Sequence, residues 1–199
     1  KPQLQVKAKP GLQLPSLLDY LGVSTLTAYT DTNASWEEKL YNAFIKLYAD
    51  HTAEFCSDPS CQRMCFMFGP LIEHDQLNDA THKATIEMFG MANVTSYKQL
   101  ALMIRENKVL KADGEDTYIK GVTNLAIPIT FIAGRKNGLF DVTSTLSTYE
   151  GLCRINGEDL YQHHIIENYG HNDCMYGKDA HKDVFPLILD HLESVRSQK

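Results

Sequence analysis

The chain has 199 residues, of which 43% are hydrophobic, 22% charged and 10% aromatic, a composition that sustains a hydrophobic core and excludes a low-complexity tail. Nineteen Lys and Arg against 25 Asp and Glu leave a formal net charge of -6, a field that repels nucleic acid and anionic lipid, so no nucleic-acid partner is expected. The longest apolar run, Leu125 to Ala133, falls short of the ~18 residues a membrane span needs and is interrupted by Pro128.

Pro2, Pro10, Gly11 and Pro15 break any early helix, and a short apolar stretch follows at Leu17 to Leu26, so residues 1–35 read as a connecting segment. From Trp36 the pattern becomes helical, with Leu40, Ala43, Phe44, Leu47 and Tyr48 on one face and Ser35 placed as the N-cap. Cys61 to Phe68, Asp79 to Phe89 and Ser96 to Glu106 give three more helices, the last with Tyr97, Leu100, Ala101 and Ile104 in a stripe. Residues 36–107 are therefore expected to be a mostly helical unit.

After Val109 the texture changes. Ala112-Asp113-Gly114-Glu115 predicts a turn between two short extended pieces. Leu125 to Ala133, LAIPITFIA, is an apolar and partly β-branched run ending at Gly134, as expected of a parallel strand buried on both faces. Thr143 to Ile155 predicts a helix closed near Asn156-Gly157, Leu160 to Tyr169 a second strand, and Lys178 to Val195 a final helix with a kink at Pro186. Strand, helix, strand, helix over residues 108–199 means parallel strands with right-handed crossovers, the α/β class.

In such sheets the chemistry gathers beyond the carboxyl ends of the strands, which directs attention to the loops Gly134 to Asp141 (GRKNGLFD) and Gly170 to Gly177. An acid or amide after one strand and a His after the next is the last two-thirds of a nucleophile, acid, His triad in the chain order of α/β-hydrolases, with His171 as general base. Asp173 reads as a cap of the turn or helix that follows.

LAIPITFIAGRKN, STLSTYEGLCRINGEDLY and NYGHNDCMYGKDAHKDVFPLILDHLE resemble the C-terminal end of the α/β-hydrolase fold. Together with CSDPSCQRMCFMFGPLIEHDQLNDATHKATIEMFGMANVTSY and LKADGEDTYI, they resemble more narrowly the hydrolase-like region behind the flavin domain in bacterial GMC-type oxidoreductases of the cholesterol oxidase kind. Acid lipases have a similar His segment and are more distant. The resemblance spans about residues 10 to 195, with GHNDC its most specific part. It implies that residues 36–107 are a helical cap, that 108–199 are the C-terminal part of the hydrolase-like core, and that His171 is the catalytic His. It also implies steroid or lipid metabolism and a parent polypeptide that binds FAD outside this chain, which has no G-x-G-x-x-G fingerprint.

Where most α/β-hydrolases have Asp a few places after the penultimate strand's Gly, this chain has Asn137, with Asp141 four residues on. Either one is placed to orient His171, and Asp141 also fits as the N-cap of the helix from Thr143. An Asn orients a His but stabilises its imidazolium poorly, which suits a Cys nucleophile better than Ser, and these hydrolase-like regions are thought to carry Cys at the elbow. No G-x-S-x-G elbow occurs in the 199 residues, so the chain alone is expected to be inactive. Lys1 in place of Met suggests a fragment, whose missing N-terminal half would carry the nucleophile. The exposed sheet edge then calls for a partner carrying that half, or for self-association.

Five Cys are an odd number and point to a reducing compartment, hence a cytoplasmic location; Asn33-Ala-Ser and Asn93-Val-Thr matter as glycosylation sequons only in a secreted chain. Cys56, Cys61 and Cys65 with His74 nearby invite a metal reading, but the spacing is not that of a C-x-x-C knuckle and the context of Met64, Phe66, Met67 and Phe68 favours buried thiols. No metal and no cofactor is expected in this chain, and a Cys56–Cys61 bridge remains open. His163 and His164 point to opposite faces of one strand and cannot share an ion. Met64, Met67 and Phe68 read as helix core, or as the underside of a cap over a small apolar substrate. Two functions are expected from this sequence: the His-bearing part of a hydrolase acting on an apolar ester or sterol-like molecule, or a non-catalytic docking or lipid-presenting module of an FAD-dependent oxidoreductase.

Overall fold

A computed structural model describes residues 24–27, 39, 43, 45 and 56–197. The expected N-cap Ser35, most of the helix from Trp36 and the sequon at Asn33 lie outside the described residues, although residues 39, 43 and 45 are helical and Ile45 is buried. The chain is a mixed α/β structure. Among the described residues no helix is long and apolar enough to cross a membrane.

The first part is helical, as the periodicity predicts, with one small sheet. β1 (Thr25–Thr27) pairs antiparallel with β2 (Met91–Asn93), a pairing the sequence does not announce because both strands are only three residues long. α1 (Pro59–Phe68) starts where Asp58 accepts the backbone N–H groups of Ser60 and Cys61, with Pro59 in the first turn where its missing N–H costs nothing. α2 (Asp79–Met88) is capped by Asn78 and α3 (Val94–Glu106) by Asn93, while Asn107 closes α3 in the left-handed region at φ 55°. Cys61, Met64, Met67, Leu71, Ile72, Leu77 and Val94 form the core beneath these helices.

Lys111 and Gly114 close the expected turn, the N–H of Gly114 bonding the Lys111 carbonyl at 2.9 Å, but neither flank is a strand. The second part is built on β3 (Ile129–Gly134) and β4 (Tyr161–Ile166), parallel partners in register from Ile129 opposite Tyr161 to Gly134 opposite Ile166. α4 (Val142–Asn156) makes the crossover between them and packs on both. The strand begins four residues later than its apolar run predicts. Pro128 has no N–H to give a ladder, and residues 119–125 coil into a 3-10 turn whose last carbonyl accepts the Tyr161 hydroxyl at 2.6 Å.

The expected single helix from Lys178 is two pieces, α6 (Ala180–Asp183) and α7 (Phe185–Arg196), and the short α5 (Asp173–Tyr176) precedes them. Pro186 does not kink a helix already under way. It stands in the first turn of α7, where no intrahelical N–H is needed.

Candidate functional site

The two loops that follow β3 and β4 are laced together by their backbones. The N–H of Arg135 bonds the Ile166 carbonyl and that of Lys136 the Tyr169 carbonyl, each at 2.9 Å. Gly134 is required here because a Cβ would collide with the backbone of Tyr169 and Gly170. A third segment, Leu71 to Gln76, closes over the pair. The Leu71 carbonyl accepts the N–H groups of both His171 and Asn172, at 3.0 and 2.8 Å, and Gln76 reaches the Asn168 carbonyl at 3.1 Å.

Asp173 fixes this junction. Fully buried, it accepts the N–H of Gly170 at 2.7 Å and that of Glu73 at 3.3 Å, one from each side. Burial pushes its carboxyl above the ordinary value, against the stabilising backbone bonds. The expected helix cap is therefore something else: Asp173 lies inside the first turn of α5 and pins two loops rather than capping one.

Of the two residues placed to orient His171, the structure brings Asn137 to it and gives Asp141 other work. Asp141 accepts the N–H of Thr143 at 2.9 Å and its hydroxyl at 2.7 Å, the N-cap of α4. Asn137 is buried, and its Nδ2 lies 3.1 Å from Nδ1 of His171. Its Oδ1 accepts the N–H groups of Leu139 and Phe140, each at 3.0 Å. Those two bonds decide which way the amide faces: turning it over would set its NH2 against two N–H donors. Nδ2 is thus the donor toward the imidazole, Nδ1 the acceptor, and the ring proton resides on Nε2. Phe140 packs edge-on against the ring with centroids 5.4 Å apart. Burial lowers the pKa of His171, and the charge of Asp173 opposes this in part, so the neutral ring is favoured.

Asn137 and His171 lie in the wall of a cleft of about 830 Å³. Phe131, Ile132, Ala133 and Gly134 line it in succession, so it passes both faces of β3 and runs along the edge opposite β4, between Leu152 of α4 and Ile188 of α7. The walls are mainly apolar. Cys174, the thiol that lines it, bonds the Gly170 carbonyl at 3.6 Å and is pushed up to about 11 by burial, so it is no activated nucleophile.

Met64 and Met67 are core residues and Phe68 packs on that core; none of the three reaches this cleft, so the cap-underside reading of them does not hold. His163 faces α4, its Nε2 3.1 Å from the Thr145 hydroxyl. Cys56 and Cys61 are free thiols, not a bridge. Of the residues that invite a metal reading, the structure brings Cys56, Cys61 and His74 together and adds His82, the ligand atoms of these four all lying within 4.8 Å of one another. His82 is missing from the sequence reading because it comes from another helix, 26 residues beyond Cys56. No family model, curated protein or solved structure matches the chain.

Proposed function

We propose that this chain is the C-terminal part of an α/β-hydrolase-like module that binds an apolar ester or sterol-like molecule without hydrolysing it, serving as the lipid-presenting module of an FAD-dependent oxidoreductase. The observation that carries the reading is the orientation of Asn137. With Oδ1 committed to two backbone N–H groups and Nδ2 to Nδ1 of His171, the ring offers N–H at Nε2, not the lone pair a general base needs. In a Ser-His-Asp triad the wrong imidazole tautomer costs about 10⁴ in kcat. A mainly apolar cleft with one imidazole donor in its wall matches a ligand with a hydrocarbon body and a single carbonyl or hydroxyl acceptor.

The second reading is hydrolysis, with His171 as general base, Asn137 as its orienting residue and a nucleophile from a segment outside this chain. It draws on the placement of Asn137 and His171 in the loops after two successive parallel strands, where the acid and His of α/β-hydrolases belong. Among the described residues β3 pairs with β4 alone, and its other edge along the cleft would accept a further strand from a segment outside this chain or from a second copy.

One pair of assays separates them. Titration with a fluorescent sterol should give saturable binding that weakens about fivefold to tenfold in His171→Phe, the value of one neutral hydrogen bond, and p-nitrophenyl butyrate should not be turned over. No sterol binding by the native chain would overturn the lipid-presenting reading. Ester turnover lost in His171→Ala would establish the hydrolase instead.

A further inference from the structure

We propose that Cys56, Cys61, His74 and His82 form a structural zinc site. Their four donor atoms lie within 4.8 Å of one another, with Cys61 Sγ 3.3 Å from His74 Nε2 and Cys56 Sγ 3.4 Å from His82 Nε2. Zinc bonds of about 2.3 Å to sulfur and about 2.0 Å to nitrogen put tetrahedral ligand atoms roughly 3.3–3.8 Å apart, so both S···N pairs already stand at the required separation.

Three elements and the segment before α1 supply the four groups, and each is set locally. Asp58 caps α1 through the N–H groups of Ser60 and Cys61, which brings the chain back so that Cys56 and the first-turn Cys61 share a side. Gln62 holds Cys56 there by bonding its carbonyl at 2.8 Å. His74 opens the 3-10 turn His74–Gln76, His82 sits in the first half of α2, and the two rings are 5.2 Å apart. Two thiols and two imidazoles meeting from three elements and the segment before α1 are a donor set selective for a tetrahedral, borderline-soft ion.

Two Cys–SH, two neutral imidazoles and Zn²⁺ give Zn(Cys⁻)2(His)2 and release two protons to solvent. No redox partner is needed, and the product carries no net charge, which suits a half-buried position. Four protein ligands leave no open coordination place, so the ion is structural: it would clamp α1, the 3-10 turn and α2 together. That turn follows Glu73, whose N–H Asp173 holds, so the clamp also braces the loop that carries His171. None of the four ligands contributes to the His171 cleft, and the two readings stand or fall separately.

The test uses the full chain, without a histidine tag, reduced and stripped of metal by a chelator. Co²⁺ should bind one per chain with thiolate charge-transfer bands and the intense visible bands of tetrahedral cobalt, and Zn²⁺ should displace it and raise the unfolding temperature. Cys56→Ser and His82→Gln should weaken Zn²⁺ by at least about a hundredfold, the upper end of what an outer-shell partner is worth, while Cys153→Ser leaves it unchanged. Zinc should also shield the half-buried Cys56, but not the half-buried Cys153, from iodoacetamide in the native chain, a readout independent of how the variants fold. A pale octahedral cobalt spectrum, substoichiometric zinc, or equal alkylation with and without zinc would overturn the site.

Discussion

His171 and the pair His74 and His82 are held by opposite means. At the ends of β3 and β4, His171 is positioned by hydrogen bonds and the edge of Phe140, its partner Asn137 being aimed by two backbone N–H groups. In the helical part, His74 and His82 turn their Nε2 atoms to thiols from α1 and the segment before it, four donors converging on one point. The first arrangement is complete as it stands, and its hydrogen bonds fix a tautomer. The second gains its full value from an ion. The teaching is that a histidine beside a cleft and a histidine beside a thiol are told apart by what their neighbours do with their remaining hydrogen-bonding capacity.

Asp173 joins the two regions, so its loss should have the largest effect. Asp173→Ala strands the N–H groups of Gly170 and Glu73 and should cost about 2–4 kcal/mol in urea unfolding. A loss below 0.5 kcal/mol, roughly the scatter of surface substitutions, would show that the carboxylate is not the link.

Asn137→Asp sharpens the comparison. A carboxylate keeps both backbone bonds but accepts where the amide donates, so the His171 proton should move to Nδ1 and its pKa rise by about 1–3 units, the usual effect of an adjacent opposite charge. NMR titration of the ring reads this directly, and an unchanged pKa would contradict it. Asp141→Ala, by contrast, removes the cap of α4 and should cost about 1 kcal/mol without moving the His171 titration. A shifted titration would return Asp141 to the orienting role.

The smallest effect is on pH dependence. Burial holds His171 and His163 below the ordinary imidazole value, so the unfolded chain binds protons that the folded chain refuses. Their contribution is complete above the unfolded pKa of about 6.5 and is lost as pH falls through the folded values. The raised carboxyl of Asp173 works the other way, its penalty being relieved only in the more acid range. Urea midpoints should therefore fall between pH 7.5 and 5.5, and less steeply in His171→Gln; parallel profiles would remove His171 from the account.

How much of this was legible in the sequence follows the range of the forces involved. β3, α4 and β4 declare themselves because a β-branched apolar run and a 3.6-residue stripe are local patterns, although Ile129 to Ile132 are half-buried beside the cleft where the run predicts burial on both faces, and the neighbourhood of Asn137 and His171 follows from two successive parallel strands ending side by side. The preference for Asn137 over Asp141 was not legible. It depends on the Leu139 and Phe140 N–H groups that aim one amide and on the Thr143 cap that occupies the other side chain. Asp173 reads as a cap until Glu73, 100 residues away, is folded against it. Cys56, Cys61 and His74 stand out in the sequence, but His82 escapes for the same reason, since it meets Cys56 only through the packing of α2 on α1.

The most direct measurement is the protonation state of the His171 ring in the native chain, read from long-range ¹H–¹⁵N couplings at neutral pH. A ring protonated at Nε2 and bare at Nδ1, reversed in Asn137→Asp, is the predicted result. A native ring protonated at Nδ1 would contradict the aimed amide and hand the site back to general-base chemistry.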